Sequence, residues 1–260
     1  MLISIFIPTY NSSKTIASTL DCILNQTYKE IEICLVDDCS SDNTVDILKE
    51  YASRYQNVKY IVKEKNGGFV PDSWNRVFPM LQGEFTFYMS HDDSLSPDCI
   101  ERLVNTQNET GADTIIPDCV FTYENGRQKS SLSASITLTS KEAFAEMLSY
   151  DIPGFALWRT SLIVSIGMPT EAFNSDEGMQ RIWALNSNKV VLNKDAKFYY
   201  LITSSSITKG LKPYHLTGLK TQRLLINRIF THGIWLMYPK KVVKFLWQYF
   251  KSYIYFKKNL

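Results

Sequence analysis

Leu2-Ile3-Ser4-Ile5-Phe6-Ile7-Pro8-Thr9-Tyr10-Asn11 is the stretch that decides the fold, because a nearly continuous apolar run stops at a proline and polar residues follow at once. A short apolar run of this kind, closed by a turn signal, is typical of a strand buried on both faces. Strands buried on both faces occur in parallel sheets that helices cover on each side. The stretch therefore predicts the first strand of such a sheet.

The same unit recurs three times further along. Strand-like runs occupy residues 31–36, 58–62 and 84–89, and amphipathic helical stripes separate them. This β-α-β-α-β-α-β order predicts an α/β fold with a doubly wound, mostly parallel sheet and helices on both faces.

The second half is less regular. It predicts short strands at 113–117, 120–123, 190–193 and 197–202, and a helix over 157–166. A capping-box pattern from Thr139 to Glu142 predicts the start of another helix.

Composition narrows the class of protein. With 260 residues, a net charge of +2 and 45% hydrophobic residues, the chain is an ordinary globular one and has no charge excess that would favour nucleic acid. The five cysteines lack metal-like spacing and are interpreted as apolar packing residues of a reducing compartment. No apolar stretch approaches the roughly 20 residues that span a bilayer, so a cytoplasmic location is expected.

Three of the predicted strands end in polar clusters, which begin at Pro8, at Asp37 and at Ser90. Ligands of open α/β sheets bind at the carboxyl ends of the strands, so these clusters predict one site. Asp92 and Asp93 are adjacent carboxylates, which a cation would neutralise, and oxygen ligands suit Mg²⁺ or Mn²⁺. Neither a dinucleotide-type nor a P-loop glycine pattern is present, which counts against dinucleotide enzymes and NTPases. The alternative interpretation of each cluster is a helix cap or a turn.

An ordered set of motifs resembles the family 2 glycosyltransferases, whose fold is called GT-A. The resemblance covers about the first 110 residues and rests on residues 5–11, 25–28 and 36–44, on Asn66-Gly67-Gly68, Asn75, residues 83–85, His91-Asp92-Asp93 and Pro97. It implies that the chain uses a nucleotide-activated sugar, by default one linked to UDP. The residues implied to bind this donor are Pro8, Thr9, Tyr10, Asn11, Asp38, Asn66, Gly67, Asn75 and Asp92. It also implies a Mn²⁺ or Mg²⁺ ion near Asp92 and Asp93. Many members have an acid where Ser90 stands, so the direct ligand stays open between the two.

The second half of such enzymes binds the acceptor and supplies a carboxylate base. Asp176 is the candidate base and Glu177 the reserve, although both could simply cap a helix. The family more often has Glu-Asp than Asp-Glu at this place. The resemblance implies transfer to a hydroxyl of a glycan or lipid-linked glycan, with inversion, in cell-surface polysaccharide synthesis. His215 is a further candidate metal ligand.

The domain prediction places a glycosyltransferase domain at 1–212, with a nucleotide-sugar half at 1–110 and an acceptor half at 111–212. A helical, basic and aromatic extension follows at 213–260. From Lys240 to Lys258 the extension contains no acid, and a helical projection aligns Lys240, Lys244, Lys251 and Lys258 along one stripe. This helix is expected either to lie on the inner face of a membrane as a peripheral contact, or to dock on the core or on another subunit.

Three other functions compete with this interpretation. A metal-dependent phosphohydrolase could use His91 and Asp92, but three histidines are few for such a site. A nucleotidyltransferase would need a glycine-rich loop after Ile7. A non-catalytic nucleotide-sugar binding protein would keep the donor half and lack a working base.

Overall fold

The computed structural model describes residues 1–168, 175–202 and 217–259, and these residues contain one sheet of ten strands. The strands are β1 (Ile3–Thr9), β2 (Ile31–Asp37), β3 (Val58–Val62), β4 (Phe85–Tyr88), β5 (Ser94–Leu95), β6 (Thr114–Tyr123), β7 (Gln128–Ser130), β8 (Ile136–Leu138), β9 (Leu157–Arg159) and β10 (Val190–Ile202). Their order in the sheet is β3-β2-β1-β4-β9-β6-β10-β5, and β7 pairs with β6 and β8 with β10. The long strands β1, β2, β3, β4, β6 and β10 run parallel, and β9 joins the two parallel groups in the antiparallel direction. The predicted mostly parallel α/β sheet is confirmed.

Helices cover both faces of the sheet. They are α1 (Ile16–Leu24), α2 (Thr44–Arg54), α3 (Val70–Val77), α4 (Cys99–Thr110), α5 (Ser140–Leu148), α6 (Thr160–Ile166), α7 (Ser175–Asn186), α8 (Gly218–Thr231), α9 (Ile234–Met237) and α10 (Pro239–Asn259). Alternate residues of β1 enter different cores: Ile5 and Ile7 pack in the core that contains α1, α2 and α4, whereas Phe6 packs in the core that contains α3, α5 and α7. This alternation is the two-residue period of a strand, and both faces are apolar as the sequence predicts.

The predicted helix over 157–166 is half wrong. Residues Leu157–Arg159 form β9, which pairs with β4 and β6, and only Thr160–Ile166 is helical. Leu157 and Trp158 are fully buried, one in each core, so tertiary packing decides the state of an apolar run that periodicity leaves ambiguous.

Four predicted short strands merge in pairs, and each pair forms one long strand. Residues 113–117 and 120–123 merge into β6, and 190–193 and 197–202 merge into β10, whose register shifts between Asn193 and Lys197. A bulge of this kind interrupts the sequence pattern without ending the strand. The predicted capping box is confirmed, since Thr139 accepts from the backbone of Glu142, and Glu142 accepts from Thr139.

The predicted helical extension is confirmed as α8, α9 and α10. It packs on the main core through Leu225, Ile229, Ile234, Val242 and Phe245. The domain boundaries stay a prediction. Among the described helices, none is both long and apolar enough to cross a bilayer. Three cysteines, Cys34, Cys99 and Cys119, are buried as expected of packing residues, and all five are free thiols.

Lys244, one lysine of the predicted stripe, contacts the core, as expected if the helix docks there. Lys244 donates to Asp151 at 3.1 Å, and its neighbour Lys241 contacts both Glu146 and Asp151. These two lysines therefore bind α10 to the end of α5.

Candidate active site

The three polar clusters predicted from the sequence meet at one edge of the sheet. β2, β1 and β4 are neighbours and run parallel, so their carboxyl ends point the same way. The backbone N–H of Asp38 donates to the carbonyl of Thr9 at 2.8 Å, which joins the first two clusters directly.

Side chains then fix the loop after β1 against the loop after β2. Thr9 donates to Asp37 at 2.9 Å, and the amide oxygen of Asn11 accepts from the backbone N–H of Ser41 at 2.9 Å. Asn11 has a φ of 47°, in the left-handed region that asparagine tolerates better than most residues. Thr9 and Asn11 thus have structural partners, whereas the ring of Tyr10 is 47% exposed at the same edge.

Asp38 organises the next loop. Its carboxylate accepts the backbone N–H groups of Gly67 at 2.7 Å and Gly68 at 3.2 Å, and it contacts the ammonium of Lys63 at 2.6 Å. Lys63 is buried and also contacts Asp72 on α3. Gly68 has a φ of 76°, a left-handed conformation that favours glycine. The structure therefore brings Asp38 and Gly67 together, as predicted for the donor site.

Asn66 and Asn75 are two further predicted donor residues, and both are exposed. Asn66 lies beside Gly67. Asn75 lies on α3, and its amide donates to the carbonyl of Met168 at 3.2 Å. Asn75 thus connects α3 to the segment after α6.

Asp92 and Asp93, adjacent in sequence, have opposite environments. Asp93 is 3% exposed and accepts the backbone N–H of Ser90 at 2.9 Å, so it closes the turn after β4. Burial raises the pKa of Asp93 well above its ordinary value, and the charge of Asp92 raises it further. Asp92 is exposed, and its carboxylate has no hydrogen bond or ion pair to the part of the chain that the structure describes.

Helix α1 contacts the turn after β4 through side-chain hydrogen bonds. Thr19 donates to the backbone carbonyls of His91 at 2.7 Å and Asp93 at 3.2 Å. The hydroxyl of Thr15 lies 2.9 Å from Nδ1 of His91. These contacts hold His91 beside the carboxylates, and they would orient its ring.

The turn after β4 offers one exposed carboxylate to a metal ion. Within residues 1–168, 175–202 and 217–259 there is no group of three or more acidic, histidine or cysteine side chains that could enclose an ion. Mg²⁺ and Mn²⁺ are commonly held by one or two carboxylates together with substrate phosphates, and Asp92 offers an unpaired, exposed carboxylate for that purpose. His215, the other candidate ligand, lies outside the described residues.

Asp176 lies in the first turn of α7, partly buried. Burial raises its pKa to about 6, and the charge of Glu177 contributes in the same direction. A carboxylate with a pKa near neutrality is suited to accept a proton in catalysis.

Tyr88, at the end of β4, connects this carboxylate to the turn after β4. It is 5% exposed, and its pKa is raised well above the ordinary value by burial and then by the charges of Asp176 and Asp93. The charges of both acids therefore act on the phenol, and Trp74 packs on Tyr88 and on Trp183 of α7 with ring centroids 5.4 and 5.1 Å apart. The helix that carries the candidate base and the strand that leads into the Ser90–Asp93 turn therefore pack on the same aromatic cluster.

Glu177 has a different role from its neighbour. It binds Arg181, four residues on, at 2.7 Å, and Arg181 also donates to the carbonyl of Met147 at 3.1 Å. The guanidinium lies 4.8 Å from the ring centroid of Tyr150. These contacts anchor α7 to α5, and Glu177 is the acid of the pair that takes part in them.

An aromatic wall that the sequence did not reveal completes the site. Phe155 stacks on Tyr88, with centroids 6.3 Å apart, and packs on Tyr200 at 5.5 Å. Burial raises the pKa of Tyr200 to about 12, and Asp93 and Asp92 add to the shift. Tyr88 carried a usable signal, since it stands two residues before Ser90. Phe155 and Tyr200 come from distant strands or loops.

Comparisons with known proteins agree with this geometry. A model of glycosyl transferase family 2 matches residues 4–166. The chain is 28% identical over 207 residues to the poly(ribitol-phosphate) beta-glucosyltransferase of Bacillus spizizenii; the match covers 78% of this chain and 32% of that protein. The chain thus spans about a third of that relative's length.

Two solved structures have a similar fold. S. aureus TarS 1-349 in complex with UDP-GlcNAc matches with a TM-score of 0.74 and 23% identity, over 88% of this chain and 66% of that one. The mannosyltransferase PcManGT from Pyrobaculum calidifontis, in complex with GDP-Man and Mn²⁺, matches with a TM-score of 0.60 and 15% identity, over 93% of this chain and 73% of that one.

Proposed function

This chain belongs to glycosyl transferase family 2 and has the GT-A fold, and we propose that it transfers a sugar from a nucleoside diphosphate sugar to an acceptor hydroxyl with inversion at the anomeric carbon. One observation carries the proposal: Trp74 packs both on Tyr88, which leads into the turn that holds Asp92 and Asp93, and on Trp183 of α7, the helix that carries Asp176. A base and a donor-side carboxylate turn are the two parts that such a transfer requires, and this packing supports the proposal that they share one site.

We propose that the donor lies along the edge formed by β2, β1 and β4. Tyr10, exposed beside the loop after β1, offers a ring on which a nucleobase can stack. Asp38, Asn66 and Gly67 form the adjacent loop, and Asn75 borders it. UDP is the proposed nucleotide, which is supported by the similarity to a protein solved with UDP-GlcNAc.

The diphosphate is proposed to lie by Asp92. A Mn²⁺ or Mg²⁺ ion bound there would neutralise charge that develops on the departing diphosphate. Asp93 remains in its turn, where it positions Ser90 and, through the backbone, Asp92.

Asp176 is proposed as the general base. The acceptor oxygen forms a bond to the anomeric carbon as the bond from that carbon to the diphosphate oxygen breaks. The acceptor's proton passes to the Asp176 carboxylate, and the nucleoside diphosphate leaves with the electron pair of the broken bond. Because attack and departure occur on opposite faces of the carbon in one step, the product has the inverted configuration.

The acceptor is proposed to be a glycan or a lipid-linked glycan of cell-surface polymer synthesis, reached from the cytoplasmic side of a membrane. The relative from Bacillus spizizenii acts on poly(ribitol-phosphate), a polymer rich in hydroxyl groups, which supports this class of acceptor. The anionic polymer or lipid would also suit the basic extension.

Release of nucleoside diphosphate from a panel of nucleotide sugars, in Mn²⁺ and in EDTA, tests the function. We expect metal-dependent turnover that Asp176→Asn abolishes while nucleotide binding persists. NMR of the product reads the anomeric configuration, and retention would contradict a single displacement. Metal-dependent binding without turnover by the unaltered chain, for every donor and acceptor offered, would instead favour a nucleotide-sugar binding protein.

A further inference from the structure

The helices α9 and α10 carry two apolar faces. Val242 and Phe245 of α10 are 4% exposed and pack in the core. Val243, Trp247 and Phe250, spaced four and three residues apart on the other side of the same helix, are 65%, 56% and 51% exposed. A helix that only covers the core would have polar residues on this outer side.

The short helix α9 extends the outer apolar surface. Trp235, Leu236 and Met237 are 45%, 66% and 54% exposed, and they directly precede α10. We call these three side chains, together with Val243, Trp247 and Phe250, the apolar ridge. Monomeric proteins rarely expose so many large apolar side chains on neighbouring elements unless they bind something there.

The sequence of the extension carries charge of one sign. No acidic residue follows Asp195 in the sequence, whereas twelve lysines and arginines do: Lys197, Lys209, Lys212, Lys220, Arg223, Arg228, Lys240, Lys241, Lys244, Lys251, Lys257 and Lys258. Lys241 and Lys244 are paired with acids of the core. Lys251 lies beside the ridge, with its ammonium 5.2 Å from the ring centroid of Trp247.

From this combination we propose that the apolar ridge and Lys240 and Lys251 dock on an anionic lipid surface. Tryptophan and phenylalanine would enter the boundary between headgroups and acyl chains, and the lysines would contact the lipid phosphates. The charge decides between this occupant and a second copy of the chain. Self-association through the ridge would bring basic residues together with no acid of the extension to compensate them, whereas an anionic surface complements them.

The inference rests on the proposed function in one respect only: a lipid-linked acceptor would explain why the enzyme binds a lipid surface. Vesicle binding needs neither donor nor acceptor. It can therefore fail while sugar transfer holds, and sugar transfer can fail while vesicle binding holds.

Flotation of the full chain tests the inference, with vesicles of phosphatidylcholine alone and vesicles that also contain phosphatidylglycerol. We expect flotation with the anionic vesicles and its loss as salt rises. The double variant Trp247→Ser with Phe250→Ser should no longer float. Val164→Ser is the matched control, since Val164 is 43% exposed on α6, outside the ridge, and it should float as the unaltered chain does.

Substitution of lysines tests how much their charge contributes to vesicle binding, apart from the burial of apolar side chains. Each lysine near an anionic surface contributes about a fivefold change in binding, so Lys240→Gln with Lys251→Gln should weaken it about 25-fold. Lys129→Gln, at an exposed position on β7, should leave it unchanged. Equal binding to neutral and anionic vesicles, or flotation unaffected by either double variant, would overturn the inference. So would an unaltered chain that does not float and sediments as a dimer which Trp247→Ser with Phe250→Ser converts to a monomer.

Discussion

Ser175 on α7 and Thr221 on α8 share a hydrogen bond of 2.9 Å between two buried hydroxyls. One turn further along α7, Gly178 faces the same threonine, and a Cβ atom built on Gly178 would lie 2.1 Å from the Thr221 methyl carbon. The two contacts flank Asp176. Helix α8 of the extension therefore holds the turn that carries the candidate base.

This close packing gives a paired prediction. Gly178→Ala should destabilise the fold by about 1–3 kcal/mol, because the new methyl group overlaps the Thr221 methyl group and neither helix has space to move without disturbing its core contacts. Thr221→Ser removes that methyl group and keeps the hydroxyl. In the Gly178→Ala background it should restore most of the lost stability, measured by urea unfolding. A double variant no more stable than Gly178→Ala alone would show that the contact does not limit the approach of α8.

Asp176→Asn should lose activity and gain stability. General-base catalysis contributes about 10²–10⁴-fold, so kcat should fall by at least 100-fold with nucleotide affinity unchanged. The folded-state pKa of Asp176, about 6, is raised from 3.8, so the folded protein binds the proton more tightly and its stability falls as pH rises between these values. At pH 7 the charged carboxylate costs at most roughly 3 kcal/mol, which asparagine removes.

Calorimetry checks the second half of that prediction. The Tm of Asp176→Asn should exceed that of the unaltered chain at pH 7, and the difference should shrink towards pH 4, where the folded-state carboxyl is protonated and the unfolded-state one is about half protonated. An Asp176→Asn variant with normal turnover would remove Asp176 from the base role whatever its Tm.

The loss of transfer activity at low pH should reflect protonation of Asp176. We call this part of the profile of activity against pH its acid limb. A base with a pKa of about 6 loses activity as pH falls through that value, because protonation removes its acceptor lone pair. Glu177→Gln removes a negative charge that raises the pKa of Asp176, and it leaves the positive charge of Arg181 unpaired. Both changes favour the ionised form, so the limb should move to lower pH. A limb that stays in place would mean that another group controls it.

The sequence predicts a feature well when the residues that determine it are close together in the chain, and poorly when they are far apart. The parallel strands and the edge where Thr9, Asp38 and Ser90 meet follow from local apolar runs and from the polarity that follows each run. The pairing of Glu177 with Arg181 was also accessible, since residues four apart on a helix are neighbours.

Other features depend on contacts between distant segments. Asp92 and Asp93 look equivalent in the sequence, but one turn buries Asp93 and exposes Asp92. Leu157 and Trp158 form a strand because β4 and β6 leave a gap between them. The contact of Gly178 with Thr221 joins helices whose relative position no local pattern specifies.

Lys63 should be critical for the loop at Gly67. It is buried between Asp38 and Asp72, and removing one member of such a group leaves buried charge uncompensated. Lys63→Met should therefore cost about 3–5 kcal/mol in unfolding and should weaken nucleotide binding, measured by calorimetry. Lys49→Met breaks the exposed contact with Asp46 and should cost less than about 1 kcal/mol. Similar losses for both variants would contradict the structural role given to Lys63.

Substitutions of the two acids in the turn after β4 should have different effects: one should weaken the response to the metal ion, and the other should lower the stability of the fold. Asp92 is exposed and unpaired within the described residues, so Asp92→Asn should leave the Tm nearly unchanged but raise the Mn²⁺ concentration needed for half-maximal nucleotide-sugar binding at least tenfold. Asp93→Ala should do the opposite: it leaves the Ser90 N–H without its buried acceptor, which costs about 1–3 kcal/mol. Asp93→Asn, which keeps an acceptor oxygen, should recover most of that loss. Titration of Mn²⁺ and thermal unfolding of the three variants give both readouts. If Asp93→Asn impaired the response to Mn²⁺ more than Asp92→Asn, the ion would have to be assigned to the buried carboxylate.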